Sequence, residues 1–499
     1  MDCRNQIVHF KEKGDLEFRL RKGNRVIEAD NSIFIVTNFP FKITVIRDEL
    51  KSLFSNIFIS GYLNLSELQE LYSPSVLKDV CRFLFTLVRK GVLETRGRYE
   101  KTLLKEIDVI IAVRNREKDI KQCLESILNL NYPYELLTIT VVDDCSTDRT
   151  KNIVRSFGVN LIELSEQVGI SKCRNLGVSR TNNEIIAFID SDCVAHEDWL
   201  SDLVPAFDDP DLAAVGGKVK SYYLDKKLDR YEAVMSPLDV SNRWKRSSEE
   251  DPSFYIPSCN LLIRRSVFCA IGGFDESFNV GEDVDLCYRL RQKGYIFEFR
   301  PEGVVYHKHR NRFISFALRR MDYGTSEPIL TLRHHHINKR LHLPILDLLF
   351  ISFITLAGMT LELKMVTIAI CLMLTAIIYE YTKLRRFHIP YLLVTIIKHR
   401  LRSPFVWAHS LFSFYSRYYL LIGGLIALSD PIYFLTALTP HVLVCLTQYI
   451  IRKPKLGFPI FLYFFTTEQI FYQIGVWYYC FKCRTLKPVN PILMLRLLC

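Results

Sequence analysis

The sequence predicts an α/β protein with a small α+β unit in front and a helical membrane region behind. Three observations carry this reading. From residue 106 short apolar strands alternate with amphipathic helices; pairs of acidic residues stand at the ends of two of those strands; and apolar runs crowd the chain after about residue 345. The expected boundaries are 1–100, 101–343 and 344–499.

At 499 residues the chain exceeds one ordinary domain. The overall 49% hydrophobic and 24% charged composition is average, and conceals a soluble front and an apolar back. A formal charge of +11 would suit nucleic acid or an anionic membrane surface, but much of the excess lies between or beside the C-terminal apolar runs, which favours the membrane. Fourteen cysteines are scattered singly, without the dense spacing of a small secreted scaffold, and read as reduced thiols. Cys480 and Cys483 have CxxC spacing but no second pair to complete a zinc site. The start, MDCRNQIVHFKEKGD, lacks the succession of a secretory signal, so the front half is expected in the cytosol.

In residues 16–100, EFRLRKGNRVIEAD and SIFIVTNFPFKITVI are rich in β-branched and aromatic residues, and a helical pattern follows. Ser66 and Gln69 have capping-box spacing, and Val80, Phe83, Leu84 and Leu87 recur at three or four. Small β plus helices looks like a winged helix, which binds DNA, a peptide or only its neighbour. Glu17, Glu28, Asp30, Asp48 and Glu49 among the basic residues argue against DNA, so no nucleic-acid partner is expected.

The second part reads as strands at 107–113, 137–143, 160–164 and 184–190, with helices near 117–129, 148–156 and 170–180. Near-continuous apolar strands separated by amphipathic helices predict a parallel sheet covered on both faces. Ligands bind such sheets beyond the carboxyl ends of the strands, where Asp143, Asp144, Asp190 and Asp192 fall. The polar stretch 236–256 is expected to be a mobile lid.

Apolar stretches near 345–361, 365–381, 406–428, 431–451 and 458–480 follow. A bilayer takes roughly 20 apolar residues, so the last four are candidate spans, while the first is short, contains Asp347 and could be re-entrant. The basic, acid-free segment 382–402 and RKPK at 452–455 are expected on the cytosolic side, with IPYLLVTIIKH lying flat in the interface. KCRTLK makes the last run a doubtful span. The alternative is a set of buried helices in a soluble domain.

Neither acidic cluster reads as a calcium loop: in DSDCVAHEDW the fifth position is Val194 and the required sixth-position glycine is Ala195, and DDCSTDRT fails at Arg149. Ser146 or Thr147 is expected to cap the next helix, which needs only one polar residue. Two acids at each of two strand ends suit a hard divalent cation, Mg²⁺ or Mn²⁺, held against a diphosphate by Asp190 and Asp192. Asp143 or Asp144 would then accept hydrogen bonds from a base or ribose, and Arg174 and Asn175, near a helix start, would favour an anion. In GGFDESFNVGEDVDLCYRL, Glu282 and Asp283 open a helix; Asp283 could be a general base, or both could simply complement the helix dipole. His307 and His309 in VVYHKH read as metal or phosphate contacts, or as ordinary surface histidines.

Together VIIAVRNRE, VVDDCSTD, GISKCRNLG, FIDSDC and GGFDESFNVGEDVDLCYRL, in this order over residues 106–310, resemble a family 2 glycosyltransferase. Ala112, Cys145 and Cys173 depart from the commonest residues at their positions and leave the acids intact. The resemblance implies a GT-A, nucleotide-sugar-binding, Rossmann-like fold and inverting transfer of a hexose from a UDP-sugar. It implies nucleotide contacts from Arg114, Asn115, Glu117, Asp143, Asp144, Arg174, Asn175, Asp190 and Ser191. A divalent cation at Asp190, Asp192 and His307, and catalysis by Asp283 with Glu282, are implied as well.

The small front unit, read as PqqD-like, and Tyr323, Gly324, Thr325 and Ser326 behind the transferase resemble the mycofactocin-system glycosyltransferases. That likeness implies a peptide-derived acceptor, a redox cofactor made from a ribosomal peptide to which glucose is added, and an exposed strand edge that could take a peptide. The apolar runs and their flanking charges give the expected location: the cell's inner membrane, multi-pass, with the catalytic part cytosolic and lipid as a partner. The competing readings are transfer to a polyprenyl phosphate or a cell-envelope glycan, and a scaffold whose transferase fold no longer turns over.

Overall fold

The computed structural model describes residues 17–20, 24–29, 32–38, 41–47, 62–73, 76–77, 79–80, 83–84, 87, 92–96 and 104–496, except 210, 243, 248–253, 335–338, 386–391 and 430. In the front unit, Glu17–Leu20 lies between Tyr62–Asn64 and Leu93–Arg96, and a second antiparallel sheet joins Arg25–Ala29, Ser32–Asn38 and Phe41–Arg47. Phe18, Ile33, Ile35, Leu63, Leu68 and Leu84 share one buried cluster, so the unit has its own core. Its helix Leu65–Leu71 starts behind Asn64, which puts Ser66 inside the helix and not at its cap. The residues expected to form the rest of the helical pattern lie partly outside the described residues.

An eight-stranded mixed sheet organises the next part. Its strands are β1 (Ile107–Val113), β2 (Leu137–Asp143), β3 (Asn160–Glu163), β4 (Ile185–Ile189), β5 (Leu212–Gly216), β6 (Lys245–Arg246), β7 (Asn260–Arg264) and β8 (Ile296–Phe299). Their spatial order is β6-β8-β5-β7-β4-β1-β2-β3. Strands β1 to β4 are parallel, as the apolar runs predict, but β7 runs antiparallel between β4 and β5, so the sheet is mixed. Helices α1 (Ile120–Leu128), α2 (Thr150–Arg155), α3 (Ile170–Ser179), α4 (Lys227–Met235) and α5 (Glu282–Gln292) connect or flank the strands.

Alternation along β1 sends Ile107, Val109, Ile111 and Val113 to the core under α1, and Ile110 to the opposite core with Ile186, Phe188, Leu286 and Leu290. Burying each such side chain contributes about 1.5–3 kcal/mol, which makes this sheet the rigid support of the molecule. The chain leaves β1 toward β2 on one side and enters β4 on the other. The crevice where strand order reverses therefore opens at the ends of β1 and β4.

Helix α6 (Phe313–Arg333) leads to the C-terminal helices α7 (Ile345–Thr360), α8 (Leu363–Leu384), α9 (Leu392–Tyr418), α10 (Pro431–Arg452) and α11 (Phe458–Lys482). Where composition implies four spans, two helices among the described residues are long and apolar enough to cross a bilayer: Leu363–Leu384, and Phe434–Arg452 within α10. The described part of the segment expected to lie flat, from Leu392, is the beginning of α9. Helix α11 packs along α6 and buries Glu468, Gln469 and Gln473 together with Phe461, Phe465 and Val476, while Tyr463, Ile474, Tyr478 and Phe481 are exposed. Asp347 is buried against Ser403 and Arg400, and Arg400 also pairs with Glu380 at 2.6 Å, which ties α7, α8 and α9 together.

The expected lid is anchored over its first half. Lys218 binds Asp239, the Ser241 carbonyl and Asn242, and Arg246 pairs with Asp209 at 2.8 Å and Glu298 at 2.7 Å. Residues 248–253 lie outside the described residues.

Candidate active site

Asn115, just past β1, adopts φ 50°, a left-handed conformation that asparagine tolerates. Its N–H donates to Ser146 Oγ at 2.9 Å, and its Oδ1 accepts from the Thr147 N–H at 2.8 Å, which locks the loops after β1 and β2 together. Glu117 joins the same clasp by accepting from the Arg149 N–H at 3.2 Å, and Arg114 is exposed beside it. Asp148, rather than Ser146 or Thr147, accepts the Thr150 N–H at 3.0 Å at the start of α2.

The two acids after β2 differ. Asp144 spends both oxygens on the N–H groups of Val168 (2.7 Å) and Gly169 (3.1 Å), fixing the approach to α3. Asp143 is fully buried; its Oδ2 takes the Ser146 N–H at 2.8 Å, while its Oδ1 has no hydrogen-bond partner among the described residues. A buried carboxylate oxygen with nothing donating to it is costly, so Asp143 is the better placed of the two to accept from a base or ribose.

Arg174, nearly fully buried on α3, bridges Asp190 at 2.5 Å and Glu282 at 2.8 Å. One charge thus joins the end of β4 to the start of α5. Asn175 is turned elsewhere: its amide oxygen accepts the Phe274 N–H at 2.9 Å and its NH₂ donates to the Phe274 carbonyl at 2.8 Å, which braces the turn before α5.

The acids after β4 separate in the same way. Asp190 faces Arg174, whereas Asp192 lies 3.5 Å from His307 and 3.1 Å from Arg116, with Ser191 buried between them. His307 ends the strand Val305–His307, which pairs with Cys193–Ala195 and so brings a residue 115 positions away to the acid. Burial raises the Asp192 carboxyl, but His307, Arg116, Arg310 and Arg319 outweigh it and hold the group below its ordinary value.

Ligand atoms of Asp192, Cys193 and His307 lie within 4.8 Å of one another. Burial and the neighbouring Cys259 push the Cys193 thiol well up, so it stays protonated and is a poor ligand. The imidazole of His307 keeps a buried Nδ1 without a hydrogen-bond partner. A carboxylate and an imidazole fit Mn²⁺ or Mg²⁺ completed by water and phosphate oxygens. The group of three contains Asp192 and His307 but not Asp190.

At the start of α5, Glu282 accepts from Arg174 and from Ser258 Oγ at 3.2 Å, so its carboxyl is occupied. Asp283 is half-buried and accepts the N–H groups of Ser258 (3.3 Å) and Val284 (2.8 Å). Burial and the adjacent Glu282 charge push its pKa up to about 7, against the lowering effects of those N–H groups and Arg174. A carboxyl with that value near neutrality is suited to take a proton from a hydroxyl. Ser326 of α6 lies against Gly281, at the head of α5, where a Cβ would touch Ser326 and φ is 86°.

Arg116, Ser258, Arg310 and Arg319 were not singled out in the sequence, although Arg116 lies inside VIIAVRNRE and Arg310 stands in the basic run HKHRNR.

Residues 108–272 match the family described as glycosyl transferase family 2. The pre-mycofactocin glycosyltransferase of Mycobacterium tuberculosis is 30% identical over 234 residues, 46% of this chain and 48% of that protein. Glycosyltransferase AglE of Haloferax volcanii is 28% identical over 211 residues, 41% of this chain and 67% of that protein. The aligned region thus spans about half the length of the mycobacterial relative. Among solved structures, mannosyltransferase PcManGT from Pyrobaculum calidifontis in complex with GDP-Man and Mn²⁺ is similar over 76% of this chain and 88% of that one, at 17% identity and TM-score 0.44. Residues 108–272 thus carry a family 2 glycosyltransferase domain, here an α/β fold with a mixed sheet, similar to part of the pre-mycofactocin glycosyltransferase.

Proposed function

We propose that this protein is a membrane-attached, inverting, metal-dependent glycosyltransferase that moves a hexose, glucose from UDP-glucose, onto a hydroxyl of a peptide-derived redox cofactor. The observation that carries the reading is the division of labour around Arg174. Asp192 and His307 stand on one side as a cation site, and Asp283 stands on the other with a pKa near 7. A divalent cation at Asp192 and His307 would screen the charge of a departing diphosphate. Asp143 accepts from the nucleoside, and Arg174 holds Asp190 and Glu282 in place.

Asp283 takes the acceptor's proton as its oxygen attacks the anomeric carbon. One base and one displacement invert that carbon, with most of the acceleration coming from positioning and charge. The N-terminal α+β unit is read as a PqqD-like module that presents the peptide-derived acceptor. The helices Leu363–Leu384 and Phe434–Arg452 attach the enzyme to the inner membrane, with the catalytic part on the cytosolic side.

The similarity to the pre-mycofactocin enzyme supports the acceptor class. A second reading, transfer to a polyprenyl phosphate or envelope glycan, is favoured by the same apolar helices and by the similarity to a glucosyl-dolichyl phosphate glucuronosyltransferase, 27% identical over 215 residues. Labelled UDP-glucose with Mn²⁺, membranes and a peptide-derived acceptor separates the two. Label in an aqueous product supports the first; label that follows the organic extract removes it.

A further inference from the structure

The strand Val305–His307 lies between Cys193–Ala195, which runs antiparallel to it, and Val219–Ser221, which runs parallel. The register sets Cys193 opposite His307 on one side and Ser221 opposite it on the other. Side chains directly opposite one another on neighbouring strands share a face, and such strands lie about 4.8 Å apart. His307 therefore stands in a row between a thiol and a hydroxyl.

Two buried polar atoms in that row lack a hydrogen-bond partner among the described residues: His307 Nδ1 and Ser221 Oγ. Each orphan costs about 1–3 kcal/mol, and one bond between them answers both. Cys193 does not serve, because sulfur is a weak acceptor and this thiol belongs to the apolar core with Cys123 and Cys259. His309 packs its ring on that of His307, with centroids 4.6 Å apart, which holds the plane of the imidazole but not its proton.

The place of that proton decides what His307 can do. On a neutral imidazole it occupies one nitrogen, and the other keeps the lone pair. Nε2 faces Asp192 at 3.5 Å, and that carboxylate alone would draw the proton to Nε2 and leave no lone pair for a cation. An acceptor at Nδ1 reverses the preference.

We propose that Ser221 is a positioning residue of the cation site: its hydroxyl accepts the Nδ1–H of His307, directly or through one water, and so keeps the Nε2 lone pair turned toward Asp192 and the divalent cation. This rests on the donor and cation reading above. Rotation about the single side-chain bond of a serine is enough to aim the hydroxyl, so the strand pairing does not have to change.

The test uses the full chain in detergent, as wild type, Ser221→Ala, Ser221→Thr and His307→Gln. Calorimetry measures UDP affinity at a fixed Mn²⁺ concentration. In the metal-free protein at alkaline pH, ¹⁵N spectra of ring-labelled histidine report which nitrogen carries the proton, the His307 signals being those absent from His307→Gln. Wild type is expected to hold the proton at Nδ1. Ser221→Ala is expected to move it to Nε2 and to weaken Mn²⁺-dependent UDP binding about 10–100-fold, the usual effect of removing a ligand's outer partner, and Ser221→Thr to restore both. A Ser221→Ala protein that melts lower but keeps the wild-type tautomer and affinity overturns the proposal. If His307→Gln loses UDP binding and Ser221→Ala does not, the cation reading stands and the role of Ser221 falls. If wild type does not bind UDP with Mn²⁺, or His307→Gln binds it as wild type does, both fall.

Discussion

Replacing Asp283 by asparagine should slow the enzyme and stabilise it, and the second effect should depend on pH. The Asp283 carboxyl rises from its ordinary 3.8 to about 7 because burial and Glu282 disfavour its charge. At about 1.4 kcal/mol per pH unit, ionising it in place costs about 4 kcal/mol more than in the unfolded chain. Because the group is half-buried and keeps some contact with water, solvent screening reduces this to about 2 kcal/mol.

The sign follows from proton binding. Between pH 3.8 and about 7 the folded state holds a proton that the unfolded state has lost, so stability falls as pH rises through this window. Asparagine removes the charge and keeps an oxygen for the Val284 N–H now 2.8 Å away. For a domain of this size the variant should therefore melt roughly 4–8 °C higher at pH 8, and show little gain at pH 4. Transfer should drop by about 10²–10⁴-fold. Thermal unfolding at both pH values, together with initial rates of hexose transfer, checks this. A variant that keeps more than a tenth of the rate, or whose stability gain is the same at both pH values, would refute the argument.

In wild type, rate should climb with pH and level off above about 7, the form expected when the ionised base is required; a bell centred on pH 5 contradicts it. Arg174→Met leaves Asp190 and Glu282 without their shared partner and should cost about 3–5 kcal/mol by denaturant titration. It should also move the acidic limb of the rate profile upward, because Arg174 lowers the Asp283 pKa. Asp192→Ala and His307→Ala should abolish Mn²⁺-dependent UDP binding, while Asp190→Ala should retain part of it; equal loss in all three would place Asp190 among the cation ligands. Asn175→Ala should destabilise by about 1–3 kcal/mol through the unpaired Phe274 N–H without altering nucleotide affinity, as melting and calorimetry would show.

The strands of the central sheet were legible because nothing competes with their signal. Residues 107–113 are apolar but for Asp108, and 137–143 but for Thr138, Thr140 and the closing Asp143, and the structure makes each of them one strand. The antiparallel β7 was not legible, since NLLIR reads the same in either direction of pairing. Nor was the Arg174–Glu282 contact, which crosses 108 positions, beyond any local pattern; His307 was grouped with Asp192, 115 positions away, only through the family resemblance. In the C-terminal apolar runs composition measures how apolar a helix is, not what covers it: among the described residues two helices are long and apolar enough to cross a bilayer, whereas α11 buries Glu468, Gln469 and Gln473.

Helices α6 and α11 meet at Gly324 and Gly475, where an added Cβ would strike the Tyr472 carbonyl on one side and the Met321 carbonyl on the other. Backbone against backbone leaves no side chain to act as a bearing. The junction therefore behaves as a bracket rather than a tether. A tether would let the transferase domain wander relative to the C-terminal helices. A bracket sets their angle once, when the chain folds, and on the proposed membrane attachment it would also fix the cleft relative to the lipid. A bulky residue at either glycine would turn the bracket into a swivel, and the angle between the two parts would become a variable.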